Sequence, residues 1–368
     1  MLRTLIKSMA LIALIFSNYA FAQLTPDQEA AKKRGIALFN QYKTAEPELR
    51  IAAEAEDAEA QFYLGEELRL QKQRMTTESQ KWYEASASQG NYYAMFKLAT
   101  TTGDLCSVIN QCPAGTKKPS DWHELLIKTA EPLALNGSGE AMVVLYDATA
   151  NVEWLKKAAK AGYAPGQWLL ATRYADGEDT FLLPWKRKDA EEELLKSASE
   201  GGFPKAMMEY STILSERNDL EGVRYWLEAA AKTGYVNGVS RYGAYVAHTP
   251  DKVGYPIDLI KGYALISQLQ ELNGGGNIQS YVEGKLPAIA EKMTSTQIEE
   301  AKKYATEWKA THPPLSFQKS QVFGHSERRR LVGPADFCLF ASLQLMDPVL
   351  PANWSMWTTR KSATRWMF

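Results

Sequence analysis

Side chains able to do chemistry are few and scattered. The four histidines, His123, His248, His312 and His325, have no acidic or cysteine partner at metal-ligand spacing. There is no H-E-x-x-H zinc helix, no G-x-S-x-G elbow, no P-loop and no H-x-K-x-x-x-x-D signature of phospholipase D chemistry. Gly274-Gly275-Gly276 is a lone glycine cluster and reads as a helix cap and loop rather than a phosphate cradle. Glu66-Glu67 and Glu191-Glu192-Glu193 are the available carboxylate pairs; flanked by apolar helical positions, they read as solvated faces. The expectation is no catalytic residue, no metal and no cofactor. Of the aromatic side chains, Tyr174, Trp185 and Tyr245 stand at helix ends or in loops rather than at packing positions, and Arg173 and Arg241 join them as groove and loop-end groups. They are the expected partner-binding residues, because Tyr, Trp and Arg dominate interface energetics.

Reading the cysteines requires the compartment. Residues 1–22, MLRTLIKSMALIALIFSNYAFA, have a basic head (Arg3, Lys7), an apolar stretch from Met9 to Phe16 and an A-x-A site at Ala20-Phe21-Ala22. That is the layout of a secretory signal peptide, too short to span a bilayer, with cleavage after Ala22. The expected location is the bacterial periplasm, without stable membrane insertion of the mature chain. In an oxidising compartment Cys106 and Cys112 are expected to pair, closing a short loop worth ~2 kcal/mol by chain entropy. A metal site is the competing reading and lacks histidine partners at ligand spacing. Cys338 is left over.

What must position these groups is a repeat. A Gly is followed four residues later by a small residue and eight later by Leu or Tyr: Gly90-Ala94-Leu98, Gly137-Ala141-Leu145, Gly162-Gly166-Leu170, Gly202-Ala206-Tyr210 and Gly234-Gly238-Tyr242. Glu56-Ala60-Leu64 is a degenerate copy. Eight residues before the Gly stand Trp82, Trp154, Leu194 and Trp226. The Gly marks a helix stop in the left-handed conformation, and small-then-large at i, i+4 lets a neighbouring backbone approach the next helix. The unit is therefore a helix–turn–helix hairpin that must stack to bury its apolar face. Gly-to-Gly spacings of 47, 25, 40 and 32 residues place insertions in the loops within units, the longest around Cys106–Cys112 and another over Asp176–Lys188.

The segments AQFYLGEEL, EWLKKAAKAGYAPGQWLLATRYADG and RYWLEAAAKTGYVNG resemble the Sel-one-like repeat (SLR) family, relatives of the tetratricopeptide repeat, over about residues 45–312. Ala60, Leu64 and Gly65, Trp82-Tyr83, and the sets ending at Gly162 and Gly234 match the family's unit, whereas Ala99 and Thr129 depart from it. The resemblance implies an all-α fold: an α-solenoid of stacked antiparallel helix-turn-helix hairpins over 23–312, with a capping helix. The family's disulfide-dense enzymatic branch is disfavoured by a single cysteine pair.

After Pro313-Pro314 the repeat stops. Residues 319–368 hold seven Lys and Arg against three acids, with Trp354, Trp357 and Trp366. Residues 313–368 read as an irregular basic, aromatic extension. The whole chain of 368 residues carries a net charge of -1; removing the +2 of the leader and the +4 of the tail leaves -7 on the body. That balance gives no nucleic-acid footprint. Exported members of the SLR family that look like this chain are similar to immunity proteins of type VI secretion phospholipase effectors. The resemblance thus implies a non-enzymatic protein that binds a secreted lipase or phospholipase toxin. A periplasmic scaffold for an envelope protein complex is the alternative.

Overall fold

The computed structural model describes residues 24–317, apart from 116, 179–180, 182, 251 and 273–275. The leader, Gly274, Gly275, Cys338, His325 and the tail beyond Phe317 lie outside the described residues. Those described form seventeen α-helices and no strand. Seven hairpins follow one another: α1 (Pro26–Asn40) with α2 (Glu46–Glu54), α3 (Ala58–Lys72) with α4 (Thr77–Ser88), and α5 (Tyr92–Ala99) with α7 (Pro119–Leu135) across the short α6 (Leu105–Val108). Then come α8 (Gly139–Thr149) with α9 (Val152–Lys160), α10 (Ala164–Ala175) with α11 (Pro184–Glu200), α12 (Pro204–Glu216) with α13 (Leu220–Lys232), and α14 (Val236–Val246) with α15 (Leu259–Gln268). Helices α16 (Gly276–Ala290) and α17 (Ser295–Thr311) cap the stack.

The hairpins form where the repeat places them. All five unit glycines have positive φ, from 78° to 96°, and each ends a second helix. Glu56 takes the same conformation at φ 63° without glycine's freedom, which an L-residue adopts at a steric cost. The small residue four positions on lies at a close approach: Ala206 is fully buried, and a Cβ on Gly238 would sit 2.6 Å from the Ala230 carbonyl carbon. Asp57, Asn91, Ser138, Asn151, Asp219 and Asp258 cap the following helices through their side chains. Two cores run along the stack and meet at Trp168 and Leu194, which pack on both.

Of the two long connectors, one differs from expectation. Cys106 and Cys112 are joined, S–S 2.08 Å, in the α5–α7 insertion. The 176–188 segment is shorter than expected, because α11 starts at Pro184, where proline's missing N–H costs no helix bond. Trp185 therefore stands on the first turn of α11 rather than in a loop.

Residues 313–317 are extended and tie the two ends of the array together. Ser316 N–H donates to Gly234 O (2.9 Å), and Val236 N–H donates to Ser316 O (3.1 Å). The next residue, Phe317, donates its N–H to Asn40 O (3.0 Å) and sets its ring edge-on to Tyr42. The last turn of α1 and the first of α14 thus lie within ~10 Å of each other. Gly234 must be glycine here for a second reason: a Cβ would fall 2.6 Å from Pro314 O.

Candidate functional site

First helices of successive hairpins touch directly at α1–α3, α5–α8 and α8–α10, whereas second helices of successive hairpins make no comparable contact. In a curved stack the closer set is the inner one, so the first helices line the concave face.

Along that face four consecutive steps from one first helix to the next, from α3 to α12, are each bridged by a polar pair. From α3 to α5, Glu66 meets Lys97 Nζ at 3.3 Å. From α5 to α8, Tyr93 Oη donates to Glu140 at 2.5 Å. From α8 to α10, Arg173 Nη1 donates to Tyr146 Oη at 2.8 Å. From α10 to α12, Trp168 Nε1 donates to Glu209 Oε1 at 2.9 Å. Counted from the unit's turn residue, these side chains recur at offsets of three, six to seven, and ten to eleven, one stripe of a helix, with Tyr146 beside it at nine. Arg241 occupies the offset of seven on α14, the register that Lys97 holds on α5 and Glu209 on α12.

The bridges sit in contrasting environments. Glu66 is 3% exposed and Glu67 8%, which corrects the solvated-face reading of this pair. Glu67 accepts from Ala45 N–H and from Gln71. Burial alone would raise the Glu66 carboxyl, but Lys97, Arg69 and the Tyr83 hydroxyl (2.8 Å) together outweigh it and hold the group below the ordinary carboxylate value. Around Glu140, burial first and then its charge raise the hydroxyls of Tyr92, Tyr93 and Tyr163, the last to about 12. Glu209 is open to solvent yet ringed by protein. Desolvation pushes it up to about 7; Trp168 and Lys205 pull it down, while Glu191 and Asp176 add to the rise. The Trp168 ring is braced by Phe203 (5.4 Å between centroids) and Lys205 (5.0 Å).

Of the expected partner-binding residues, Arg173 belongs to the stripe, where it also pairs with Glu178 at 2.6 Å. Arg241 shares its register. Tyr174, beside Arg173, turns its ring edge-on to Phe181. Trp185, 60% exposed, lies apart on α11. Tyr245 is 8% exposed and packs in the second core, so it does not present a surface ring as expected. The reason is the chain after α14, which folds back so that Asp258 N–H donates to Val246 O at 2.7 Å. Sequence reasoning missed Lys97, Tyr93, Glu140, Tyr146, Trp168 and Glu209; the recurrence of polar and aromatic residues at offsets of three and six to seven was the available signal. The described histidines have structural partners: His123 meets Ala148 O, His248 meets Tyr255 O, and His312 stacks on Trp308.

Among the described residues no group of three or more His, Cys, Asp or Glu could hold a metal ion, and no helix is long and apolar enough to cross a membrane. No family model matches the chain, and no curated protein does. Among solved structures the chain is similar to a protective antigen of uropathogenic Escherichia coli strains displaying an SLR fold, at 17% identity and a TM-score of 0.43 over 84% of this chain. It spans 64% of that protein's length. It is also similar to a Sel1 repeat protein from Oxalobacter formigenes, at 19% identity and a TM-score of 0.36, over 76% of this chain and 86% of the other.

Proposed function

We propose that the chain is a non-enzymatic protein-binding solenoid that works in the periplasm, as an immunity protein that binds and neutralises a type VI secretion lipase or phospholipase toxin. The observation that carries the binding part is the concave stripe, where Trp168, Arg173, Glu209 and Arg241 line successive first helices. Curved stacks present such faces to protein partners, and indole and guanidinium groups are effective anchors there. The toxin class rests on the resemblance of the repeat units; the leader-like residues 1–22 and the Cys106–Cys112 disulfide support an oxidising compartment. The negative body would steer a basic toxin surface, an attraction screened by salt.

The test is competition between sister cells. A strain lacking the gene is expected to be killed by neighbours delivering the toxin. Expression with the leader is expected to protect, and expression without it is not. Survival of the deletion strain, together with no phospholipase captured by the purified mature chain, overturns the reading.

A further inference from the structure

Outside the stripe, the chain from Val253 to Asp258 folds over α13, α14 and α15 and leaves a cavity of about 580 Å³. That is the size of a small-ligand site. It shares no residue with the stripe. Tyr242 and Tyr255 form one wall, their rings edge-to-face at 5.4 Å. Both are held in place: Tyr255 Oη donates to Arg224 O at 2.7 Å, and Tyr242 hydrogen-bonds Glu228. Two carboxylates, Glu228 and Asp258, also line the cavity. Asp258 is oriented by capping α15, where it accepts from Lys261 N–H at 2.9 Å.

Among its lining residues the cavity holds two carboxylates, Glu228 and Asp258, against one ammonium, Lys261. The hydroxyls of Tyr242, Tyr255 and Tyr304 all stand above their ordinary value, through burial first, and Glu228 adds to the rise at each. Asp258 adds at Tyr242 and Tyr304. The positive groups are Lys261, which lines the cavity 3.6 Å from Asp258, Lys232, 2.7 Å from Glu228, and Arg224 beside Tyr255. The two lysine pairs are part-exposed and of little net strength, so a better cation can displace them. Arg224 donates its Nη1 to Val253 O at 2.7 Å.

We propose that this cavity is a socket for a guanidinium group, the side chain of an arginine on a bound protein. Glu228 and Asp258 offer acceptors to its five donors, and the Tyr242–Tyr255 wall offers ring faces to a planar cation, a match an ammonium makes less well. The guanidinium chemistry stands on the cavity; that its source is a protein rests on the protein-binding reading above.

The experiment titrates the mature chain by calorimetry with an acetylated, amidated Gly-Arg-Gly peptide, its citrulline counterpart (same shape, no charge) and free arginine. Binding of the arginine peptide, with the citrulline peptide weaker by about tenfold or more, is expected. The double variant Glu228→Gln, Asp258→Asn is expected to bring the arginine peptide down to the citrulline level. It keeps the α15 cap, since asparagine caps as well as aspartate, and an unchanged helical dichroism spectrum checks this. Glu153→Gln, an exposed carboxylate on α9 that belongs to neither the socket nor the stripe, leaves the affinity unchanged. Equal affinity for arginine and citrulline peptides, or no arginine-peptide binding up to ~10 mM, overturns the socket. Free arginine binding more tightly than the peptide overturns the assignment to a protein. Peptide binding without any captured toxin upholds the socket and sinks the immunity reading; toxin capture without peptide binding does the reverse.

Discussion

The α3–α5 and α10–α12 joints solve one problem in opposite ways. Each links adjacent first helices through one glutamate. At the first joint Glu66 is buried among Lys97, Arg69 and Tyr83 and is held ionised. At the second, Glu209 meets the Trp168 indole, stays open to solvent, and is pushed up to about 7. The same stripe therefore yields a structural rivet at one joint and an accessible group at the other. A buried charge is tolerated only with its partners in place, and a groove charge can turn to water or to a ligand.

Removing one partner at each joint should expose that difference. Lys97→Met strands the Glu66 carboxylate, and a loss of about 3–5 kcal/mol in urea unfolding is expected. A loss under 1 kcal/mol would mean that Arg69 and Tyr83 suffice. Trp168→Phe keeps an aromatic ring but removes the donor to Glu209, and only about 0.5–1.5 kcal/mol should go, because water replaces the indole. A larger loss than at Lys97 would reverse the comparison.

The pH responses have opposite signs. Because the folded value of Glu66 is depressed, its stabilisation is present above the ordinary carboxylate value and is lost as pH falls through the folded value. Glu66→Gln should flatten that acid limb of the stability curve. Glu209 is raised, so the folded state binds more protons than the unfolded between the ordinary value and about 7. Its contribution is greatest below that window and declines as pH rises through it. The smallest expected signal is a change in Trp168 emission centred near pH 7 that vanishes in Glu209→Gln. A transition that persists in the variant would assign it to another group.

The hairpins were legible because their determinants are local. A turn residue, a small residue at four and a large one at eight recur within one unit, and the structure places helices accordingly from Ala58 to Gln268. The start of α11 was not, since Pro184 reads as a breaker and acts as a first-turn residue. Glu66 was misread because its partner Lys97 lies 31 residues on, across the stack, where no single-helix periodicity reaches. Tyr245 was misread because Val253–Asp258 folds back over the end of α14. The link from Gly234 through Ser316 to Asn40 joins the two ends of the array, and no repeat pattern encodes it.

The central claim is that the first helices' inner stripe is the surface that binds a protein partner. Calorimetry of a captured phospholipase toxin against the mature chain and against the double variant Trp168→Ala, Arg173→Ala tests it most directly. With both anchors gone, a weakening of about a hundredfold or more is expected, at unchanged helical dichroism. An affinity equal to that of the unmodified chain would place the contact elsewhere and contradict the account.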